Sequence, residues 1–183
     1  MKTLKILAML AVITAFAAST KASDISVTLS SPGTLEEEIA KQTDWRDVTG
    51  LKVSGHINGD DIYFIRQMAQ GKTQYFNFEA ELANSEYMND LASEGKLVRL
   101  DLSDASIDEG GRVYATAIST KDDGTEMKIS FSCISKNTIS TSMFSSTILE
   151  SIILPSSAET METDKFRVFY GTYNYRNELE YSY

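Results

Sequence analysis

The sequence predicts an α/β domain in which a helical N-terminal cap leads into a short solenoid-like stack of parallel repeat strands, with a β-hairpin inserted among them. Three observations carry this expectation. The aliphatic pattern Val48-x-x-Leu51-x-Val53 recurs as Leu97-x-x-Leu100-x-Leu102 and as Leu149-x-x-Ile152-x-Leu154. Two stretches with helical spacing, Leu35–Ala40 and Ile62–Ala69, precede the second copy. Finally, Met127, Ile129, Phe131 and Cys133 alternate strictly with Lys128, Ser130 and Ser132 behind an Asp122-Asp123-Gly124-Thr125 turn, which is the signature of a hairpin.

Before the first of these elements, the 183-residue chain opens on an export signal, Met1–Ala22. Lys2 and Lys5 form the basic start, Ile6 to Ala18 is an uncharged apolar run, and Ala15, Ala17, Ala18, Thr20 and Ala22 offer small-residue cleavage registers. That run is well short of the about 20 apolar residues that a bilayer-spanning helix needs. A lipid anchor would require a cysteine just after the cut, whereas the one cysteine is Cys133. The expected product is therefore exported, whether periplasmic, secreted or associated with the cell surface, and has no integral membrane segment after cleavage.

Charge narrows the partners. The chain has 17 basic and 26 acidic residues, and loss of Lys2, Lys5 and Lys21 with the signal leaves 14 against 26. Nucleic acid and anionic lipid recruit basic proteins, so neither is an expected partner. The remaining residues, 23–183, have the size of one domain, with a cap over 23–96, a repeat stub over 97–183 and the hairpin insertion at 112–134. One cysteine excludes an internal disulfide, and one cysteine with one histidine cannot form a structural zinc site. Glycine-rich dinucleotide and phosphate loops are absent, so no cofactor is expected.

Taken in order, Ile25–Leu29 reads as a short strand. Thr34 as N-cap with Glu37 three residues later predicts a capping box, and Glu36, Glu37 and Glu38 suit the positive end of a brief helix. Alternation predicts a strand over Val48–Gly55. The helix that follows has Ile62, Ile65, Met68 and Ala69 on one face, Asp60 or Asp61 as its cap and Gly71 as its stop. Ala83–Ser93 is expected to be helical, ending at Gly95. Leu97–Ser103 is a second strand, and Val113–Ser119 pairs with Met127–Cys133 in the hairpin. There Cys133 falls on the apolar side, as a small buried hydrophobe.

The recurring L-x-x-L-x-L pattern is the core of a leucine-rich repeat, although separations of 49 and 52 residues exceed the usual about 20–29. Its context, Leu51-Lys52-Val53-Ser54-Gly55-His56-Ile57-Asn58-Gly59-Asp60-Asp61-Ile62, then Arg66-Gln67-Met68-Ala69, then Leu100 to Ile107, resembles the N-terminal region of BspA-like leucine-rich repeat proteins. Ile139 to Phe144 followed by Leu149-Glu150-Ser151-Ile152-Ile153-Leu154-Pro155-Ser156-Ser157 is similar to that family's repeat unit. Phe169 comes 25 residues after Phe144, but no further strand motif follows, so the resemblance implies a cap and a short stub. Tyr170, Tyr173, Tyr175, Tyr181 and Tyr183 are expected to close it. The resemblance also implies a surface or secreted protein that binds a protein or glycan outside the cell.

Candidate chemistry is sparse. His56 is the single histidine, no G-x-S-x-G elbow occurs, and Ser54-Gly55-His56-Ile57 reads as a strand end at the surface. The acid pairs Asp60-Asp61, Asp101/Asp104, Asp108-Glu109 and Asp122-Asp123 could serve an exported carboxylate hydrolase, yet caps and turns account for two of them. In a repeat strand the residues between aliphatic positions face outward. Lys52, Asp101 and Ile153 then form one cross-strand row, and Gly50, Arg99 and Ser151 another. The expected binding residues are Lys52, Arg99, Asp101, Ser151 and Ile153, with no catalytic or metal-ligating residue, and the alternative to a binding module is a structural stub without a ligand of its own.

Overall fold

The structure is a computed structural model that describes residues 23–71, 73–77, 86–88, 94–120, 123–140, 142–145, 147–161, 172–173 and 179–180. The export signal Met1–Ala22 and the tyrosines Tyr170, Tyr175, Tyr181 and Tyr183 lie outside these residues. In chain order the elements are β1 (Ser23–Leu29), α1 (Leu35–Ala40), a 3-10 turn at Trp45–Asp47, β2 (Val48–Ile57), α2 (Gly59–Met68), β3 (Thr73–Asn77), β4 (Glu86–Met88) and β5 (Arg99–Ile107). They continue with β6 (Gly110–Thr120), β7 (Glu126–Cys133), β8 (Thr138–Ile139), β9 (Ser151–Ile153), β10 (Thr160–Met161), β11 (Thr172–Tyr173) and β12 (Leu179–Glu180).

Four strands in the order β1-β2-β5-β9 make an all-parallel sheet, whose alternating aliphatic residues bury one face and leave the other open, unlike the usual parallel sheet covered on both sides. Val27, Leu29, Leu51, Val53, Leu100, Leu102, Ile107, Ile152 and Leu154 are buried in one core with Leu35 and Ile39 of α1 and Ile62, Ile65 and Met68 of α2. Phe144, completely buried, belongs to the same cluster. A second four-stranded sheet, β4-β3-β6-β7, is mixed: β3 and β6 run parallel, while β3–β4 and β6–β7 are antiparallel. Two short ladders, β8–β10 and β11–β12, complete the pairing among the described residues.

This architecture corrects the expected leucine-rich-repeat-like solenoid with a helical N-terminal cap. The first described element is strand β1, paired to β2 at the edge of the parallel sheet, so among the described residues no helical cap precedes the strands. Nor does a unit repeat. A solenoid stacks the same supersecondary unit again and again, whereas here β2 and β5 are joined through α2, β3 and β4, and β5 and β9 through the β6–β7 hairpin and β8. Only the strand pattern recurs, and it reports a strand with one covered face, not a repeated unit. The hairpin itself forms, with Thr120 opposite Glu126 and Ala117 opposite Ile129. By contrast, the helix expected over Ala83–Ser93 is replaced at Glu86–Met88 by β4.

Helix starts also depart from the sequence reading. The Thr34 side chain makes no cap; its hydroxyl donates to the Ser31 carbonyl at 2.8 Å. Instead the carboxylate of Asp61, in the first turn of α2, accepts from the amides of Gly33 at 2.6 Å and Leu35 at 3.0 Å, capping α1 from a distance. The same carboxylate accepts from Asn58 N–H at 3.0 Å, and Asn58 Oδ1 accepts from Asp60 N–H at 2.9 Å to cap α2. At the other end of α2, buried Arg66 donates to the carbonyls of Ser142 and Ser145 at 2.9 and 2.8 Å. One helix thus fixes both the segment before it and the loop that leads into β9.

Candidate functional site

The open face of the parallel sheet carries all five residues that the sequence singles out. Ser26, Lys52, Asp101 and Ile153 stand in one cross-strand row, one from each strand, and Asp24, Gly50, Arg99 and Ser151 in the next. Parallel pairing holds such rows at fixed spacing, because hydrogen-bonded neighbours lie about 4.8 Å apart. Ile153, in edge strand β9, is half exposed, an apolar end to a polar row.

A bulge in β5 concentrates charge at the centre of this face. Lys52 is opposite Asp101 and Ser54 opposite Asp104, so Leu102 and Ser103 lie where β2 has only Val53. The extra residue brings Asp104 onto the same face as Asp101, which simple alternation forbids. Lys52 Nζ consequently sits 2.7 Å from Asp104 Oδ2, 3.6 Å from Asp101 Oδ2 and 3.5 Å from Ser103 Oγ. Hydrogen bonding to Asp104 raises the Lys52 ammonium above the usual lysine range. Desolvation raises Asp101, but the hydroxyl and amide of Ser103 and the Lys52 charge outweigh it, and its carboxyl lies below the ordinary aspartate value. Lys52 and Asp101 are therefore both charged across the neutral range.

The second row is organised by a missing side chain. A Cβ on Gly50 would fall 2.8 Å from Asp24 Cγ and 3.2 Å from an Arg99 guanidinium nitrogen, so glycine leaves the gap through which these two meet. Arg99 donates to Asp24 Oδ1 at 2.6 Å, bridging β1 and β5 over the top of β2. Farther along, Thr28 and Ser54 share a hydroxyl hydrogen bond at 2.9 Å. The face is thus a lattice of paired charges and hydroxyls, and it bears no tryptophan, tyrosine or phenylalanine among the described residues.

No family model matches the chain, and no curated protein matches it either. What the face can do is read from its own geometry.

The remaining sequence candidates are dispersed. His56, exposed at the end of β2, has Nδ1 3.0 Å from Asp108 Oδ2, and Lys136 Nζ lies 3.7 Å from the other oxygen. Asp61 is buried and fully engaged with three amides, while Asp60 pairs with Arg112 at 3.0 Å. Asp123 Oδ1 accepts from Thr125 N–H at 2.8 Å within the hairpin turn. Among the described residues, no three His, Cys, Asp or Glu side chains are grouped to hold a metal ion, and no helix is long and apolar enough to cross a membrane. Sequence reasoning missed Asp24 and the roles of Ser103 and Asp104. Only the spacing D-x-S-D could have hinted at the bulge.

Cys133 is buried at the end of β7. Burial, with a smaller push from the Asp61 charge, raises its thiol to about 12. Alkylation follows thiolate and access, so iodoacetamide at pH 8 is expected to leave the folded protein unmodified over hours and to label it stoichiometrically in denaturant. Mass spectrometry checks this, and rapid native labelling would contradict the burial.

Proposed function

We propose that this chain is an exported, non-enzymatic binding module that recognises a protein outside the cell through the open face of its parallel sheet. The observation that carries the reading is the single face shared by Lys52, Arg99, Asp101, Ser151 and Ile153, held in register by four hydrogen-bonded strands. Rigid strands fix side chains in advance, so a partner that matches the pattern loses little ordering entropy on docking. Alternating charge beside an exposed isoleucine suits a protein surface, in which charged pairs set register and an apolar contact supplies affinity. A glycan site would favour an aromatic platform for the sugar face.

The charge state of the face weighs against the hydrolase alternative. Glycoside hydrolysis needs one carboxyl kept protonated as the acid. Asp101 is shifted in the opposite direction and is paired with Lys52.

The test uses residues 23–183, immobilised and exposed to a panel of purified extracellular-matrix proteins and to a glycan array. Lys52→Glu and Ile153→Asp are each expected to lower the affinity for a protein bound by the wild type by about tenfold or more, with Lys41→Glu, just past the end of α1, as a control away from the face. Binding that survives both face variants, binding confined to glycans, or no binding to any member of the panel would overturn the proposal.

A further inference from the structure

Sheet edges are sites of unsatisfied backbone pairing, and proteins blunt them with short strands, prolines or covering groups. Three of the four edges of the two larger sheets are blunted in these ways. At β1, the Gln42 side chain donates to the Ser26 carbonyl at 3.3 Å and α1 packs alongside. β9 is three residues long and is followed closely by Pro155, and β4 is also three residues long. The fourth edge, β7, differs. It has eight residues, Glu126–Cys133, and contains no proline; among the described residues it pairs only with β6 and no backbone hydrogen bond leaves its outer side.

We infer that β7 is a homodimerisation edge, pairing antiparallel with β7 of a second copy about a two-fold axis at Met127. The sequence of the strand selects this occupant and this register. In antiparallel pairing about residue 127, Glu126 of each chain lies opposite Lys128 of the other, and Thr125 lies opposite Ile129. Directly opposed residues project to the same side of a ladder, so both ion pairs form on one face, and opposite-charge pairs at this position stabilise a sheet. Glu126 and Lys128 are both exposed and lack an ion-pair partner among the described residues, so neither has to abandon a contact there. A register centred on Lys128 would instead set the two lysines against each other, and one centred on Ile129 would leave Lys128 opposite Ser130 and Glu126 opposite Ser132. Two-fold symmetry makes the contact isologous and closed, so growth stops at the dimer. Net acidity opposes association of two copies, but charges farther apart than about 8–10 Å are largely screened at physiological salt. The two mixed sheets would meet edge to edge along Glu126–Lys128 of each β7, and two copies of the polar face would be tied together for bivalent binding.

A charge-swap series on residues 23–183, followed by sedimentation velocity over a concentration series, tests the inference. Wild type is expected to show a monomer–dimer equilibrium. Glu126→Lys and Lys128→Glu should each weaken dimerisation by about tenfold, since each turns two attractions into two repulsions, and the double swap E126K/K128E should restore it. In addition, Met127→Cys should form an intermolecular disulfide on mild oxidation, whereas Ser130→Cys should not. A wild type that stays monomeric, single reversals without effect, or a double swap that fails to restore association would each overturn the inference. So would stronger association in Lys128→Thr, which would mark Lys128 as a guard that keeps the edge unpaired. Circular dichroism of each variant separates these outcomes from misfolding.

Discussion

Replacing Asp61 with alanine is expected to lower the unfolding free energy by about 3–5 kcal/mol, a large share of the about 5–15 kcal/mol available to a domain of this size. The side chain is 1% exposed, and its two oxygens accept from three backbone amides: Leu35 on Oδ1, and Gly33 and Asn58 on Oδ2. Alanine leaves all three donors without that acceptor; the Leu35 amide is buried and the Gly33 and Asn58 bonds are half-buried, and a buried amide left unpaired costs about 1–3 kcal/mol. Asparagine is expected to rescue little. Whichever way its amide points, one side presents an NH2 group to a backbone N–H donor. Burial pushes the Asp61 carboxyl upward against the pull of those donors, so part of the carboxylate's worth is already spent on desolvation, and the figure stays within the stated range. Urea denaturation at pH 7 checks the prediction. A loss below about 1 kcal/mol would show that α1 keeps its N-terminus by other means.

The same residue shows why the sequence was legible only in part. Helix positions follow from local spacing, and both α1 and α2 lie where their apolar periodicity puts them. The cap of α1 was not local. Thr34 and Glu37 have the right types at the right spacing for a capping box, but a carboxylate 26 residues downstream of Leu35 occupies the amides first. The strands of the parallel sheet and of the hairpin were equally readable, because alternation and aliphatic runs report burial directly, whereas β3 was not foreseen and β4 stands where a helix was expected. The assembly of the strands was not readable. The pattern Leu97-x-x-Leu100-x-Leu102 says that a strand has one covered face; it does not say whether the crossover that follows is another copy of the previous unit or a hairpin in a separate sheet. The cross-strand rows could be written from sequence because three aligned motifs define a register without any knowledge of what joins them. Asp104 could not be placed on the face, since a bulge depends on how β5 meets β2 and leaves no periodic trace.

A second large effect is expected at Gly55, and it tests the site together with the fold. Gly55 pairs with Leu29 across the β1–β2 ladder and has φ of +89°, a conformation that costs any residue with a side chain about 1–2 kcal/mol. Space is the larger obstacle. A Cβ there would overlap the Leu29 carbonyl oxygen and lie 3.0 Å from its carbon, and these are backbone atoms of a paired strand that cannot rotate aside. Gly55→Ala must therefore push β1 away from β2, with a total cost of about 3–4 kcal/mol. The displacement has a local consequence as well. Thr28 and Asp24, one and five residues before Leu29 on the same strand, make the hydroxyl contact to Ser54 and the bridge to Arg99, so the β1 side of the polar face moves with the strand. Lys52, Asp101 and Asp104 lie between β2 and β5 and keep their register. Denaturation measures the stability cost, and amide hydrogen exchange locates it: faster exchange in β1 with β5 unchanged is the expected pattern. Uniform loss of protection across the parallel sheet would mean that β1 is no separable edge but part of one cooperative unit with the strands that hold Lys52.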